Sequence, residues 1–215
     1  LGFMQVRWYS IWFVGGLLCV WNFGSSAYAR RGMPSTYVPQ LIMVFTVGII
    51  LGGHLVHMVL YEPQALLENP ARIFEVGNGM ASHGSFLGIL AGAALWCRFK
   101  GESLLRVADG SAVAWFWLFP FVRLGNFFNS EIYGLVTEMP WGMVFVHGAE
   151  AGADPRHPVQ LYEAAFNTFL IVFSRCTDTK PDQFAPGVRA AGLIGLYCFG
   201  RFFIEFFKEY QVMSS

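Results

Sequence analysis

The sequence predicts an all-α protein, a polytopic bundle of about six transmembrane helices, and three observations point there. Of its 215 residues, 55% are apolar and only 13% are charged, about half the roughly 25% charge usual for a soluble domain. Mean hydropathy is +0.47. The apolar residues fall into six runs, at about 8–28, 38–60, 83–97, 107–127, 159–174 and 188–207, and a helix needs about 20 apolar residues to cross a bilayer. This composition excludes a disordered chain, a coiled coil and an ordinary cytosolic enzyme. The 14 basic residues are balanced by 14 acidic ones, so no broad positive surface for nucleic acid is expected.

The first run, 8–28, has the outline of a secretory leader, with Arg7 before it and Ala27-Tyr28-Ala29 at its end. Its polar Tyr9, Ser10 and Asn22 and its bulky Trp8, Trp12 and Trp21 favour a retained span. The first residue is Leu1, as expected of a fragment or processed chain. Arg30-Arg31-Gly32-Met33-Pro34 separates this run from the second, 38–60, and Glu62-Pro63 and Asn69-Pro70 close the second. The third, 83–97, is short, so its helix is expected to begin earlier, near Gly77. Lys100-Gly101-Glu102 precedes the fourth run, and Thr179-Lys180-Pro181-Asp182 separates the fifth from the sixth. Gly15-Gly16 and Gly52-Gly53 are expected to mark close helix contacts. The cysteines at 19, 97, 176 and 198 have no metal-ligand spacing and read as free membrane thiols. Residues 1–215 read as a single integral membrane domain.

Basic residues orient the bundle. Threading six spans puts Arg30, Arg31, Arg98, Lys100, Arg106, Arg175, Lys180 and Arg189 on one side. Arg7, Arg72, Arg156 and Lys208 fall on the other. The richer side is expected to be cytoplasmic, so both termini face outward.

In this orientation, polar residues converge in the outer half of the membrane. Tyr9 opens the first span and His83 the third. Arg123 closes the fourth, followed by Asn126, Asn129 and Glu131. His157, Gln160, Tyr162 and Glu163 open the fifth, and Arg201 and Glu205 sit near the end of the sixth. An ionisable residue within a span costs about 2.5–3.5 kcal/mol on insertion scales, so the cluster implies mutual pairing or a cavity. Arg201 and Glu205, spaced i, i+4, could simply neutralise each other. Two guanidiniums at headgroup depth also match a phosphate bidentately. His54 and His57 share a helix face but lack a third ligand, and read as packing residues. No G-x-S-x-G elbow, Walker loop or HExxH is present.

The segment Arg123-Leu124-Gly125-Asn126-Phe127-Phe128-Asn129-Ser130-Glu131-Ile132-Tyr133-Gly134 resembles the signature of the prolipoprotein diacylglyceryl transferase family, approximately G-R-L-G-N-F-x-N-G-E-x-x-G-R. Trp8-Tyr9, Gly79-Met80-Ala81-Ser82-His83-Gly84, Pro155-Arg156-His157-Pro158-Val159-Gln160-Leu161-Tyr162-Glu163, and the ending with Tyr197, Arg201, Glu205, Phe206, Phe207 and Lys208 agree in order. The resemblance extends over nearly the whole chain. Val122, Ser130 and Leu135 replace two glycines and a basic residue of the signature, and His54 stands where the family commonly has Arg. The family usually has seven spans and a larger outer head region. The chain is therefore expected to lack the C-terminal span and to carry a short outer loop segment.

The resemblance implies transfer of a diacylglyceryl group from phosphatidylglycerol to the lipobox cysteine thiol of a prolipoprotein. A thioether forms and glycerol phosphate is released, the first step of bacterial lipoprotein maturation, at the outer side of the bacterial inner membrane. No cofactor and no metal are implied, and the partners are phosphatidylglycerol and prolipoprotein signal peptides. His83, Arg123 and Arg201 are the catalytic candidates. Arg123, Arg201, Asn126, Tyr9 and Tyr197 are expected at the headgroup, with Glu131, Gly134, His157, Glu163 and Glu205 in support. The alternative is a catalytically degenerate homologue, or a non-enzymatic lipid-binding or transport protein.

Overall fold

A computed structural model describes residues 8–75, 79–145, 154–178, 180 and 183–209. The described chain is helical, with isolated antiparallel bridges and no strand among the described residues. In order the helices are α1 (Trp8–Arg30), α2 (Tyr37–Leu60), α3 (Pro63–Glu68), α4 (Ser82–Lys100), α5 (Leu104–Trp115), α6 (Leu118–Phe128), α7 (Val159–Thr177) and α8 (Val188–Glu205), with a 3-10 turn at Pro70–Phe74 after α3. Two compact units result, Leu1–Met33 with Ala108–Ser215, and Pro34–Val107.

Five of the six apolar runs match one helix each, the third with an adjustment, and the fourth divides. The third run gains its length at its far end. α4 starts at Ser82 after an extended Ala81 and continues through Arg98-Phe99-Lys100 to a left-handed Gly101. It does not begin earlier, near Gly77, as expected: residues 79–81 are described and are not helical. The fourth run is not one helix but two. Phe116 and Trp117 form a turn between α5 and α6, and Pro120, which has no N–H for the Phe116 carbonyl and crowds it with its ring, explains the break. By length and composition, α2 alone among the described helices is long and apolar enough to cross a membrane, with hydropathy 2.0. The others dilute their aliphatic residues with Gly, Ser, Trp, Tyr and Arg.

In the unit Pro34–Val107, α2 and α4 pack backbone to backbone. A Cβ at Gly48 would stand 2.8 Å from Gly88 C, and one at Gly52 the same distance from Gly88 Cα. The two G-x-x-x-G faces, 48 and 52 on α2 with 84 and 88 on α4, allow this approach. His54 is buried and its Nε2 lies 3.1 Å from Ile73 O, while His57 Nε2 lies 3.3 Å from Glu62 Oε1. Both act as packing and hydrogen-bonding residues.

The other unit builds its core from Ala27, Val113, Phe116, Leu170, Ile171 and Leu193. Gly16 lets α1 approach α6, since a Cβ there would meet Leu118 Cδ1 at 2.7 Å. At the far end, Asp178 gathers Arg30 and Arg31, each at 2.6 Å, and Arg189 at 3.4 Å. Asp109 accepts the backbone N–H groups of Gly187 and Ala190, both at 2.8 Å, and so caps α8. These contacts tie together the C-terminal ends of α1 and α7 and the N-terminal end of α8.

Candidate functional site

At the end of this unit opposite Asp178, α6, α7 and α8 bring three charged side chains together. Glu163, one turn into α7, is buried. One carboxylate oxygen receives Arg123 Nε from α6 and the other receives Arg201 Nη1 from α8. The second terminal nitrogen of Arg201 lies 2.8 Å from Glu205 Oε2. The i, i+4 pairing read in the sequence is therefore formed, and Glu163 joins it to the arginine of another helix. Buried charges of this kind persist because each is paired and hydrogen-bonded.

The network continues outward through the signature segment. Arg123 Nη1 donates to Asn126 Oδ1 at 3.3 Å. Asn126 Nδ2 donates to Glu131 Oε2 at 3.3 Å, and Asn129 Nδ2 to Glu131 Oε1 at 3.2 Å. A tight reversal after α6 makes this possible, with Glu131 N–H donating to Asn126 O at 2.9 Å. Ser130 at φ 55° and Ile132 at φ 59° both sit in the left-handed region. That accounts for a glycine in the family pattern at 130, and it makes Ile132 a strained position.

Beside this loop lies a polar cleft of about 240 Å3 lined by Tyr9, Ser10, Asn126, Asn129 and Glu131. Gly125 lets α1 reach it, since a Cβ there would meet Tyr9 Cδ2 at 2.9 Å. The expected meeting of Tyr9, Arg123, Asn126, Glu131, Glu163, Arg201 and Glu205 is thus present within one unit. Ser10 and Asn129 join them as lining residues. Asn129 is among the converging polar residues of the sequence without a site role, and Ser10 stands out there only as a polar residue in an apolar run.

Other candidates act at one remove. Gly134 donates its N–H to His157 O at 2.9 Å and sits against Val159, His157 and the Phe207 carbonyl, where a Cβ has no room. His157 Nδ1 lies 3.0 Å from Tyr162 Oη, which also accepts Trp141 Nε1 at 2.7 Å. His157 therefore belongs to an aromatic-capped loop contact outside the Glu163 network. Tyr197, one turn before Arg201, packs its ring at 5.5 Å from Phe119 and 6.0 Å from Phe116. Arg156, given no role from sequence, reaches Glu209 and lies 5.0 Å from the Tyr133 ring centroid.

His83 belongs to the unit Pro34–Val107, as the second residue of α4. It is exposed, and its Nε2 lies 2.9 Å from Tyr61 Oη. Tyr61 in turn stacks on His57 at 5.4 Å. The His83 ring is thus held at one nitrogen while its side chain remains exposed.

Comparison with known proteins agrees over the whole chain. The family model described as prolipoprotein diacylglyceryl transferase matches residues 1–215. The phosphatidylglycerol–prolipoprotein diacylglyceryl transferase of Oleidesulfovibrio alaskensis is 37% identical over 222 residues, covering 97% of this chain and 78% of that protein. Its namesake in Nitrobacter winogradskyi is 36% identical, with 97% and 75% covered. That of Tolumonas auensis is 36% identical, with 98% and 81% covered.

Proposed function

The chain belongs to the prolipoprotein diacylglyceryl transferase family, and we propose that it transfers the diacylglyceryl group of phosphatidylglycerol to the lipobox cysteine of a prolipoprotein. The observation that carries this reading is the joining of Arg123 and Arg201, from two helices, through one buried carboxylate, Glu163. A thiol sulfur attacks the glycerol carbon, the carbon–oxygen bond to phosphate breaks, and glycerol phosphate departs. The charge of that phosphate is the feature a pair of guanidiniums stabilises best.

Each candidate has a proposed part. The lipobox thiol, with an unperturbed pKa near 8.5, is only a few per cent thiolate at neutral pH, and His83 accepts its proton. Arg123 and Arg201 bind the phosphate. Asn126 and Tyr9, lining the polar cleft, orient the glycerol headgroup, and Tyr197 fixes the approach of α8 beside Arg201. Glu163 and Glu205 aim the arginines, Glu131 fixes Asn126, and Gly134 and His157 shape the loop behind them.

Residues 1–215 form one multi-pass domain of about six spans in the bacterial inner membrane, with the N-terminus and the arginine pair toward the outer side. The exposed apolar faces of α1 (Trp8, Ile11, Val14, Leu18, Trp21) and of α8 (Phe199, Phe202, Phe203), with Phe206 just beyond it, support a lipid setting. The test is direct. Purified protein, phosphatidylglycerol and a lipobox peptide are incubated, and the peptide is weighed by mass spectrometry. A gain of one diacylglyceryl mass per thiol is expected, and an unmodified peptide under folded, lipid-bound conditions overturns the reading in favour of a lipid-binding homologue.

A further inference from the structure

Both arginines at the site are already engaged by carboxylates. Arg201 spends one terminal nitrogen on Glu163 and the other on Glu205, while Arg123 spends Nε on Glu163 and Nη1 on Asn126. One further cation stands in the same cluster. Lys208, just beyond α8, places Nζ 4.0 Å from Glu205 Oε1, with its side chain 21% exposed. That is the loosest ion pair in the cluster. The backbone holds Lys208 in place, because Gly134 and Lys208 form an antiparallel bridge and Leu135 N–H donates to Phe207 O at 2.9 Å. Arg123, Arg201 and Lys208 face two carboxylates, Glu163 and Glu205, so the bridged cluster keeps one positive charge in excess.

We propose that Lys208 binds the phosphate of the departing glycerol phosphate as a third cation, moving from Glu205 to the developing charge. The inference rests on the transferase reading above. In the reaction a thiolate with one negative charge meets a phosphodiester with one. The sulfur–carbon bond forms, the carbon–oxygen bond breaks, and its electron pair stays on oxygen. The products are a neutral thioether and a phosphomonoester, whose second ionisation lies near 6, so it leaves close to doubly charged. The arginines hold the first charge from fixed positions. A flexible ammonium, a point charge free of fork geometry, supplies the second as it appears.

The surroundings of Lys208 bear on its titration. Burial, above all, pushes its ammonium below the ordinary lysine value, and the charge of Arg201 and then Arg123 adds to this, while Glu205 and Glu163 oppose it. Arg156 and Glu209 pair beside it, and the His157 ring lies 5.1 Å from that of Phe207.

The test uses the full chain in phosphatidylglycerol nanodiscs with a lipobox peptide, comparing wild type, Lys208→Met and Lys208→Arg. Lys208→Met keeps the backbone bridge and the stem. It is expected to lower kcat about 100-fold, the loss typical of removing one transition-state charge donor, and to raise the inhibition constant of added glycerol phosphate. Lys208→Arg is expected to recover most of the rate. The ratio of the Lys208→Arg to wild-type pH profiles cancels the ionisation of the peptide thiol. It should rise on the alkaline side, where lysine loses its proton and arginine does not. An active wild type with Lys208→Met within two-fold of it, or a flat ratio, overturns the Lys208 assignment and leaves the transferase reading intact. A folded wild type without transfer overturns that reading, and this inference with it.

Discussion

Glu163 on α7 and Arg123 on α6 form an ion pair in which the carboxylate is 3% exposed and the guanidinium 19%. The same carboxylate takes Arg201, itself 24% exposed. Removing it would strand two positive charges in a space built for a shared negative one. Glu163→Gln is therefore expected to lose about 2–3 kcal/mol of stability. That is less than the roughly 3–5 kcal/mol of breaking a fully buried pair, because both arginines keep contact with solvent. Thermal unfolding in detergent measures the loss. An unchanged midpoint would mean that the arginines do not depend on Glu163.

The expected proton acceptor has its own signature. His83→Gln should lower transfer strongly at pH 6.5 and less at pH 9, where the peptide thiol ionises unaided. Binding of phosphatidylglycerol should change little. Tyr61→Phe, which removes the hydroxyl 2.9 Å from His83 Nε2, should reproduce a smaller version of the same pH dependence. Equal losses at both pH values with weakened lipid binding would make His83 a headgroup ligand instead.

Asp178 gives a prediction for stability. Burial alone would raise its pKa, but hydrogen bonds from Arg30 and Arg31, with the charges of Arg31 and Arg189, outweigh that and lower it from 3.8. A depressed carboxylate contributes its stabilisation in full above the unfolded value and loses it as pH falls through the folded one. Wild type should therefore exceed Asp178→Asn in unfolding midpoint by a constant margin above about pH 5, and the margin should shrink below pH 4. A margin independent of pH throughout would show that the aspartate acts by shape and not by charge.

Topology is testable from the eight-to-four distribution of basic residues. In a background without Cys19, Cys97, Cys176 and Cys198, a cysteine replacing Glu138 should react with an impermeant maleimide on intact cells. One replacing Ser103 should react only after permeabilisation. Both positions are exposed. The opposite pattern would turn the arginine pair toward the cytoplasm.

The sequence carries the helices well because the helices are built from apolar runs, and Pro, Gly and charge punctuate them. It hides the break at Phe116-Trp117, where the apolar run continues unbroken and Pro120, three residues on, is the one local sign. The residue types of the site are visible in the signature, and so is the Arg201–Glu205 pair, which is local to one helix. The sharing of Glu163 between Arg123 and Arg201 is not visible. It spans 40 and 38 residues of chain and depends on how α6, α7 and α8 pack. The ring packing of Tyr197 on Phe116 and Phe119 is likewise not visible in its motif position, because it joins residues about 80 positions apart.

The strongest prediction concerns geometry at constant charge. Arg123 uses Nε and Nη1 for two different partners, and Arg201 uses Nη1 and Nη2 for two carboxylates. Lysine has one nitrogen where each arginine uses two, so it cannot hold a carboxylate and a second partner in one plane. Arg123→Lys and Arg201→Lys are each expected to insert and fold, since net charge is kept and each retains one contact to Glu163. Each should lose most transfer activity, on the order of 100-fold in kcat/KM. The double substitution should cost less than the product of the two if, as proposed, both side chains, which meet at Glu163, act on one phosphate. The measurement is transfer to a lipobox peptide, normalised to folded protein in the membrane. Near-normal activity of either variant removes that arginine from phosphate binding. Strictly multiplicative losses would show instead that the two arginines work at separate places, and that their meeting at Glu163 serves the fold alone.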